Sequence, residues 1–303
     1  MKKRLISSLL MLVLGFAAIP AFADQDPPAD SKPGGKGGIS EKDRQWLQNL
    51  KFETGTVMIN TVAEAKIPEG YRYLNPVDSS RYLQLLGNPP SRVEGILFPK
   101  DADWFVVLEY EKEGHVKDDD AKKINYADLL KDMKESTKDG NAQRTSQGYP
   151  AIELVGWATP PHYDASTHKL YWAQDLKFSD APGHTLNYNI RMLGREGVLV
   201  ANAVGEVGEL PDIEKATPDI LAMVDFTAGN RYQDYNEKTD HTAEYGIAGL
   251  IAGAAGLKIA AKLGIFALLA KKAAVLWKPI AIVFAAIATR FKKLFGRKGD
   301  ASA

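Results

Sequence analysis

Cysteine is absent from this 303-residue chain. That removes disulfide staples, thiol nucleophiles and thiolate metal sites together. Catalytic and cofactor fingerprints are missing as well. There is no G-x-S-x-G, no H-E-x-x-H and no G-x-G-x-x-G, so no cofactor is expected. Histidine is scarce, with five in all, and no Asp or Glu occurs between Tyr245 and Gly299. The last absence leaves a long apolar stretch whose only charges are positive.

What is present begins with an export signal. Lys2, Lys3 and Arg4 precede an apolar segment from Leu5 to Ile19, and Ala21-Phe22-Ala23 forms an A-x-A cleavage step. Residues 1–23 are therefore expected to be a signal peptide, cut after Ala23. Residues 24–39 (DQDPPADSKPGGKGGI) are Pro, Gly and polar, the composition of a flexible linker. Their GGKGG lacks the strand, spacing and helix of a phosphate-binding loop. Residues 40–244 read as an exported soluble domain, long enough to bury a core without disulfides. Between residues 24 and 244 there are 25 basic and 37 acidic residues, a net charge of about −12. Nucleic acid, which requires basic patches, is excluded as a partner.

Residues 245–289 are expected to be a membrane anchor in the bacterial inner membrane, followed by a basic tail over 290–303. Ile247–Ala270 supplies 24 mainly apolar residues, against the about 20 needed to span the hydrocarbon. Lys258 and Lys262 sit near its middle. Their cost of about 2.5–3.5 kcal/mol each is roughly cancelled by the ten Leu, Ile and Phe residues around them. The two lysines share one helix face, with the Gly249/Gly253 small-xxx-small step opposite. That face is a candidate for helix packing, and the lysines either snorkel or line a charged seam. Ala273–Thr289 is a second apolar piece, interrupted by Lys278-Pro279. A single span near 247–270 leaves all the later Lys and Arg in the cytoplasm, as the positive-inside tendency prefers. A second span near 273–289, or an interfacial helix there, stays open.

Within 40–244 strands and helices mix without a βαβ rhythm. Ser40 is placed to cap a short helix through Leu50. Thr54–Ala65 reads as one strand with Tyr71–Leu74 as its hairpin mate, and Ser79–Leu86 as a helix ending before Gly87. Val93–Phe98 and Trp104–Glu111 are strands, and Tyr126–Thr137 is an amphipathic helix stopped at Asp139-Gly140. Two long hairpins follow, 151–159 with 169–178 and 186–193 with 197–207, and Ile213–Phe226 closes the domain as a helix. The expected fold is α+β: an antiparallel sheet with helices packed on one face, followed by a C-terminal transmembrane helix region.

Candidate chemistry is sparse. His162, Asp164 and His168 fall in one connection, Pro160–His168, and are the candidate metal ligands, although H-x-D-x3-H matches no metal motif. Asp118-Asp119-Asp120 lacks the twelfth-position Glu of a calcium loop, since Leu129 stands there, and reads as a solvated turn. Glu109 and Glu111 share a strand face, read as solvated; Arg195 and Glu196 read as exposed turn residues.

Four stretches resemble a known family: GILFPKDADWFVVLEYEKEGHVKDDDA (Gly95–Ala121), WATPPHYDASTHKLYWAQDL (Trp157–Leu176), LNYNIRMLGREGVLVANAV (Leu186–Val204) and FTAGNRYQDY (Phe226–Tyr235). The family is the domain-of-unknown-function family 2167, uncharacterised bacterial membrane-anchored proteins. The resemblance implies a signal peptide, an exported domain and an anchor, with no assigned activity. The order of hairpins and closing helix is similar to sheet-plus-helix folds of the photosystem PsbP type, an analogy that carries no function. The expected function is a non-enzymatic scaffold, sensor or protein-binding module facing the periplasm. Its partners would be the lipid bilayer and an envelope protein, or a second copy through the anchor. Two alternatives stand beside it: an envelope hydrolase or metal-dependent enzyme using the 160–168 loop, and an oligomeric membrane assembly with a lysine-lined seam.

Overall fold

In the computed structural model the described residues are 40–253. The cleavage step at Ala21 and Ala23, the linker, and Lys258 and Lys262 lie outside them. Ser40 caps α1 (Glu41–Gln48) by accepting from the Asp43 amide at 3.1 Å, as its position before an acidic first turn dictates. The stretch expected as one strand is instead a hairpin, β1 (Gly55–Ile59) and β2 (Ala63–Ile67). Asn60 breaks it by taking φ 52°, with its backbone and side-chain nitrogens donating to the Glu94 carboxylate at 3.0 and 3.2 Å. Asparagine is among the few residues that tolerate this left-handed region.

The main sheet has seven strands in the order β3-β4-β5-β9-β8-β7-β6. These are β3 (Tyr71–Leu74), β4 (Gly95–Pro99), β5 (Phe105–Glu111), β6 (Ile152–Asp164), β7 (Lys169–Phe178), β8 (His184–Leu193) and β9 (Val198–Glu206). Every neighbouring pair is antiparallel. β3 thus pairs with β4, not with the 54–65 stretch. The expected 160–168 loop is shorter than the sequence reading had it. β6 runs through Pro160 and Pro161 to Asp164, with register shifts on the way. Prolines donate nothing to a ladder and are tolerated because β6 is an edge strand.

α2 (Pro76–Leu85) starts at the Asn75 cap and stops before Gly87 at φ 85°. α3 (Tyr126–Ser146) continues through Gly140, past the expected stop. Asn141 exchanges two 2.8 Å hydrogen bonds with the Ile152 backbone, and the Arg144 side chain reaches the Pro150 carbonyl. These tertiary bonds outweigh the cost of one glycine, about 1 kcal/mol. α4 (Leu210–Met223) ends earlier than expected. β10 (Val224–Phe226) leaves it and pairs with β2, completing a three-stranded second sheet.

Helices pack on both faces of the large sheet, not on one. Leu97, Val106 and Leu108 join Ile213 and Ile220 of α4 and the small sheet in one core. Their strand neighbours Ile96, Phe105 and Val107 join Leu83 of α2 in another, on the opposite face. The physical reason is the run of buried positions in β8 and β9, where nearly every residue is buried. β9 is mostly apolar on both sides and β8 sets buried Thr185, Asn187, Asn189 and Arg191 on one of its sides; strands buried on both sides need cover on both sides.

Candidate functional site

The turn joining β6 to β7 is built by Asp164. Its Oδ1 accepts from the Ser166 amide and hydroxyl at 2.9 and 2.6 Å, and its Oδ2 accepts from the Thr167 hydroxyl at 2.7 Å. These bonds hold its carboxyl at about 2. His168 then takes φ 54° and turns its imidazole onto Tyr232, with ring centroids 3.9 Å apart. On the preceding strand Tyr163 donates its hydroxyl to Asp118 Oδ2 at 2.7 Å and lies 3.2 Å from His168 Nδ1. Tyr232 donates to the other oxygen of Asp118 at 3.4 Å.

A column of rings results. His168 stacks on Tyr232, the Tyr232 centroid lies 4.3 Å from His115, and His115 stacks on Tyr235 at 3.8 Å. Backbone bonds from the His115 amide to the His241 carbonyl and from the Ala243 amide to the His115 carbonyl fix its base. Burial pushes the His115 imidazole down, so it is neutral at pH 7, although the Gly194 and Arg195 backbone opposes the shift. Burial, and then the charge and bonding of Asp118, push the Tyr163 and Tyr232 hydroxyls well above their ordinary range. Both phenols therefore keep their protons and act as donors to the carboxylate.

This column borders a cavity of about 370 Å³. Its walls are Thr167–Lys169 from the turn, Met192 and Leu193 from β8, Asp225 and Phe226, and Arg231–Gln233. Arg195 holds the Phe226–Asp240 segment in place. It bonds Asp240 with both Nε (2.7 Å) and Nη2 (2.9 Å), and reaches the Gly229 carbonyl at 3.1 Å. Arg195 was expected to be an exposed turn residue; the paired fork instead makes it a clamp.

A second polar group lies on the main sheet. Arg191 is buried, with Nη1 donating to Asn202 Oδ1 at 3.0 Å and to the Ile190 carbonyl, and Nη2 to Asn189 Oδ1 at 3.4 Å. Its guanidinium carbon stands 5.3 Å from the Trp172 ring centroid. Glu109 shares a cross-strand row with it through Val200. Glu109 and Glu111 do not form a solvated face as expected. β5 is interior to the sheet, and both carboxylates are only half-exposed. Burial, and then the charge of Glu111, pushes Glu109 up to about 7, with Arg191 opposing. Glu109 can thus hold or release a proton near neutrality.

The three candidate metal ligands are not brought together. His162 and Tyr163 are adjacent on β6 and face opposite ways. His162 meets the Tyr171 ring at 5.0 Å, away from His168 on Tyr232. Asp164 is spent on its own turn. Among the described residues no three His, Asp or Glu side chains are placed to hold a metal ion. The Asp118–Asp120 turn exposes Asp119 but is not simply solvated. Asp118 ties two tyrosines, and Asp120 caps α5 (Ile247–Ala252), accepting from the Ile247 and Ala248 amides at 2.9 and 3.1 Å. α5, six residues of the expected span, is buried in the domain. Gly249 packs against Tyr245, where an added Cβ would come within 2.6 Å of that residue's own Cβ, and Gly253 ends the helix at φ 60°. Among the described residues no helix is long and apolar enough to cross a membrane.

Sequence reasoning found His168 but missed His115, Asp118, Tyr232 and Arg191 as site residues. Asp118 lies 45 residues from Tyr163 and 114 from Tyr232, so no local spacing announces them. The one signal was indirect: three of the four stretches that carry the family resemblance supply the ring column and its anchors.

The model of a family described as "Protein of unknown function (DUF2167)" matches residues 51–288. The chain belongs to this family. The DUF2167 match covers both polar groups and extends into the apolar run. No curated protein matches the chain. Among solved structures the chain is similar to cyanobacterial PsbP (CyanoP) from Synechocystis sp. PCC 6803, with 10% identity and a TM-score of 0.33. That likeness covers 64% of this chain and 98% of the other.

Proposed function

We propose that this DUF2167 member is an exported binding or sensing module, tethered at the bacterial inner membrane with its acidic domain in the periplasm. The tether is drawn from the apolar residues beyond Gly253, and the basic tail is cytoplasmic. The charge layout supports this arrangement: an acidic body joined to a run whose only charges are positive. The observation that carries the binding role is the Asp118–Asp120 turn. Asp118 holds Tyr232 of the ring column and Tyr163 of the edge strand beside the cavity, while Asp120 caps the helix that leads into the apolar run. An occupant of the cavity and the root of the tether are thereby coupled through three consecutive residues. An envelope protein, or a second copy meeting through the tether, is the proposed partner for the signal.

Topology tests the reading directly. Alkaline phosphatase fused after Gly253 should be active outside the cytoplasm, and the full chain should stay with membranes through a carbonate wash. A cytosolic fusion, or release of the chain by carbonate, overturns it.

A further inference from the structure

We propose that the cavity beside His168 and Tyr232 binds a phosphate-bearing molecule through Lys169, Arg231 and His168. This names the ligand class for the binding-module reading and rests on it.

The argument starts from unbalanced charge. The domain is strongly acidic, yet two cations, Lys169 and Arg231, line this cavity against one acid, Asp225. Neither Lys169 nor Arg231 makes an ion pair within 4.0 Å among the described residues. Lys169 Nζ donates to the Leu221 carbonyl at 3.0 Å, and Arg231 Nε to the Phe226 carbonyl at 3.5 Å. Each retains further N–H donors, three on an ammonium and five on a guanidinium in total. Arg195 makes the contrast, because its fork is filled by Asp240. The acids nearby already have partners: Asp225 Oδ1 accepts from the Phe226 amide, Asp234 Oδ2 from the Arg231 amide, and Asp118 from the Tyr163 and Tyr232 hydroxyls, with its Oδ2 3.8 Å from His168 Nδ1.

Geometry points the same way. Gly194 and Arg231 form a β-bridge, and the Arg195 amide donates to the Asn230 carbonyl. The backbone that carries Arg231 is therefore fixed before any ligand arrives. Tyr163 gives its proton to Asp118, so His168 Nδ1 donates to the Tyr163 oxygen and Nε2 is left as an acceptor, able to take the hydroxyl of a singly protonated phosphate. Met192, Leu193 and Phe226 add apolar wall, and the volume of about 370 Å³ exceeds what a bare phosphate fills. The matching ligand is a phosphate ester with an organic group. Its phosphate suits a fork and a point charge together, and its organic part meets the apolar wall. A soluble phosphomonoester and a lipid headgroup share that chemistry.

The test reads modification of Lys169 by an amine-reactive reagent in the full chain, with exposed Lys177 as the internal control. The chain is reconstituted in nanodiscs of phosphatidylcholine alone, with phenyl phosphate titrated in, and separately in discs containing phosphatidylglycerol without added phosphate. At ten times the half-protecting concentration, phenyl phosphate should slow Lys169 labelling about tenfold and leave Lys177 unchanged. Protection in that arm assigns a soluble ester; protection by phosphatidylglycerol alone assigns a headgroup. Absence of protection in both arms, or equal protection of Lys177, overturns the site. So does full protection in an Arg231→Gln variant whose near-ultraviolet circular dichroism is native. If the chain does not associate with the discs, the tether reading fails. Phenyl phosphate protection of the free chain still reports on the cavity.

Discussion

Tyr163 and Asp118 are joined by a 2.7 Å hydrogen bond from phenol to carboxylate across 45 residues of sequence. The same carboxylate takes the Tyr232 hydroxyl on its other oxygen. One side chain therefore ties the edge strand β6 to the segment that follows β10. Hydrogen bonds to charged groups are worth about 1.5–3 kcal/mol. Tyr163→Phe should lower unfolding free energy by about 1.5 kcal/mol, read from urea denaturation. Asp118→Asn should cost at least as much, because both phenols lose a charged acceptor.

Glu109 makes stability depend on pH. Its folded value of about 7 lies above its ordinary carboxyl value, so the native state holds a proton that the unfolded chain has released. Stability then falls as pH rises from about 4.5 to 7, and flattens above that. Glu109→Gln removes the penalty. Allowing for partial exposure, the variant should exceed wild type by about 2 kcal/mol at pH 8, with no difference near pH 4. Denaturation midpoints at the two pH values decide it; an equal gap at both would refute the assignment.

Arg195→Lys should free the 226–240 segment. A lysine cannot reproduce the two parallel bonds to Asp240. Amide exchange across residues 226–240 should speed up several-fold, with β8 and β9 unchanged. Uniform exchange across the domain would show that the clamp is not local.

Asp120→Ala removes the two amide acceptors at the start of α5, a loss typical of helix caps at about 1 kcal/mol. Gly246→Ala should act alike by steric conflict, since its Cβ would come 2.6 Å from the Asp120 carboxylate. Limited proteolysis should cut both variants near residues 245–253 before wild type.

The elements with local signals were legible. Ser40 and Gly87 bound their helices as their chemistry requires, and both long hairpins appear, with nearly the expected limits except that β6 runs five residues further, to Asp164. What failed was whatever depends on distant residues. Gly140 stays helical because Asn141 and Arg144 bond to the approach to β6. The Val224–Phe226 strand exists because β2 offers it an edge. Glu109 looks like a surface residue until β9 and β8 are laid beside β5. The candidate site is harder still, since His115 with Asp118, Tyr163, and Tyr232 come from three separate parts of the chain. His162 and Asp164 looked suitable only because they are near His168 in sequence.

The consecutive prolines of β6 have a consequence beyond tolerating a bulge. A bare outer strand offers its amides to any other extended chain, and a crowded compartment holds many such chains. Pro160 and Pro161 carry no amide hydrogens, and because successive amides of a strand point to opposite edges this removes one outward donor along that border. They act as a guard against molecule-to-molecule sheet extension, so replacing both with valine should raise the tendency to form fibrils or precipitate, read from light scattering of variant against wild type.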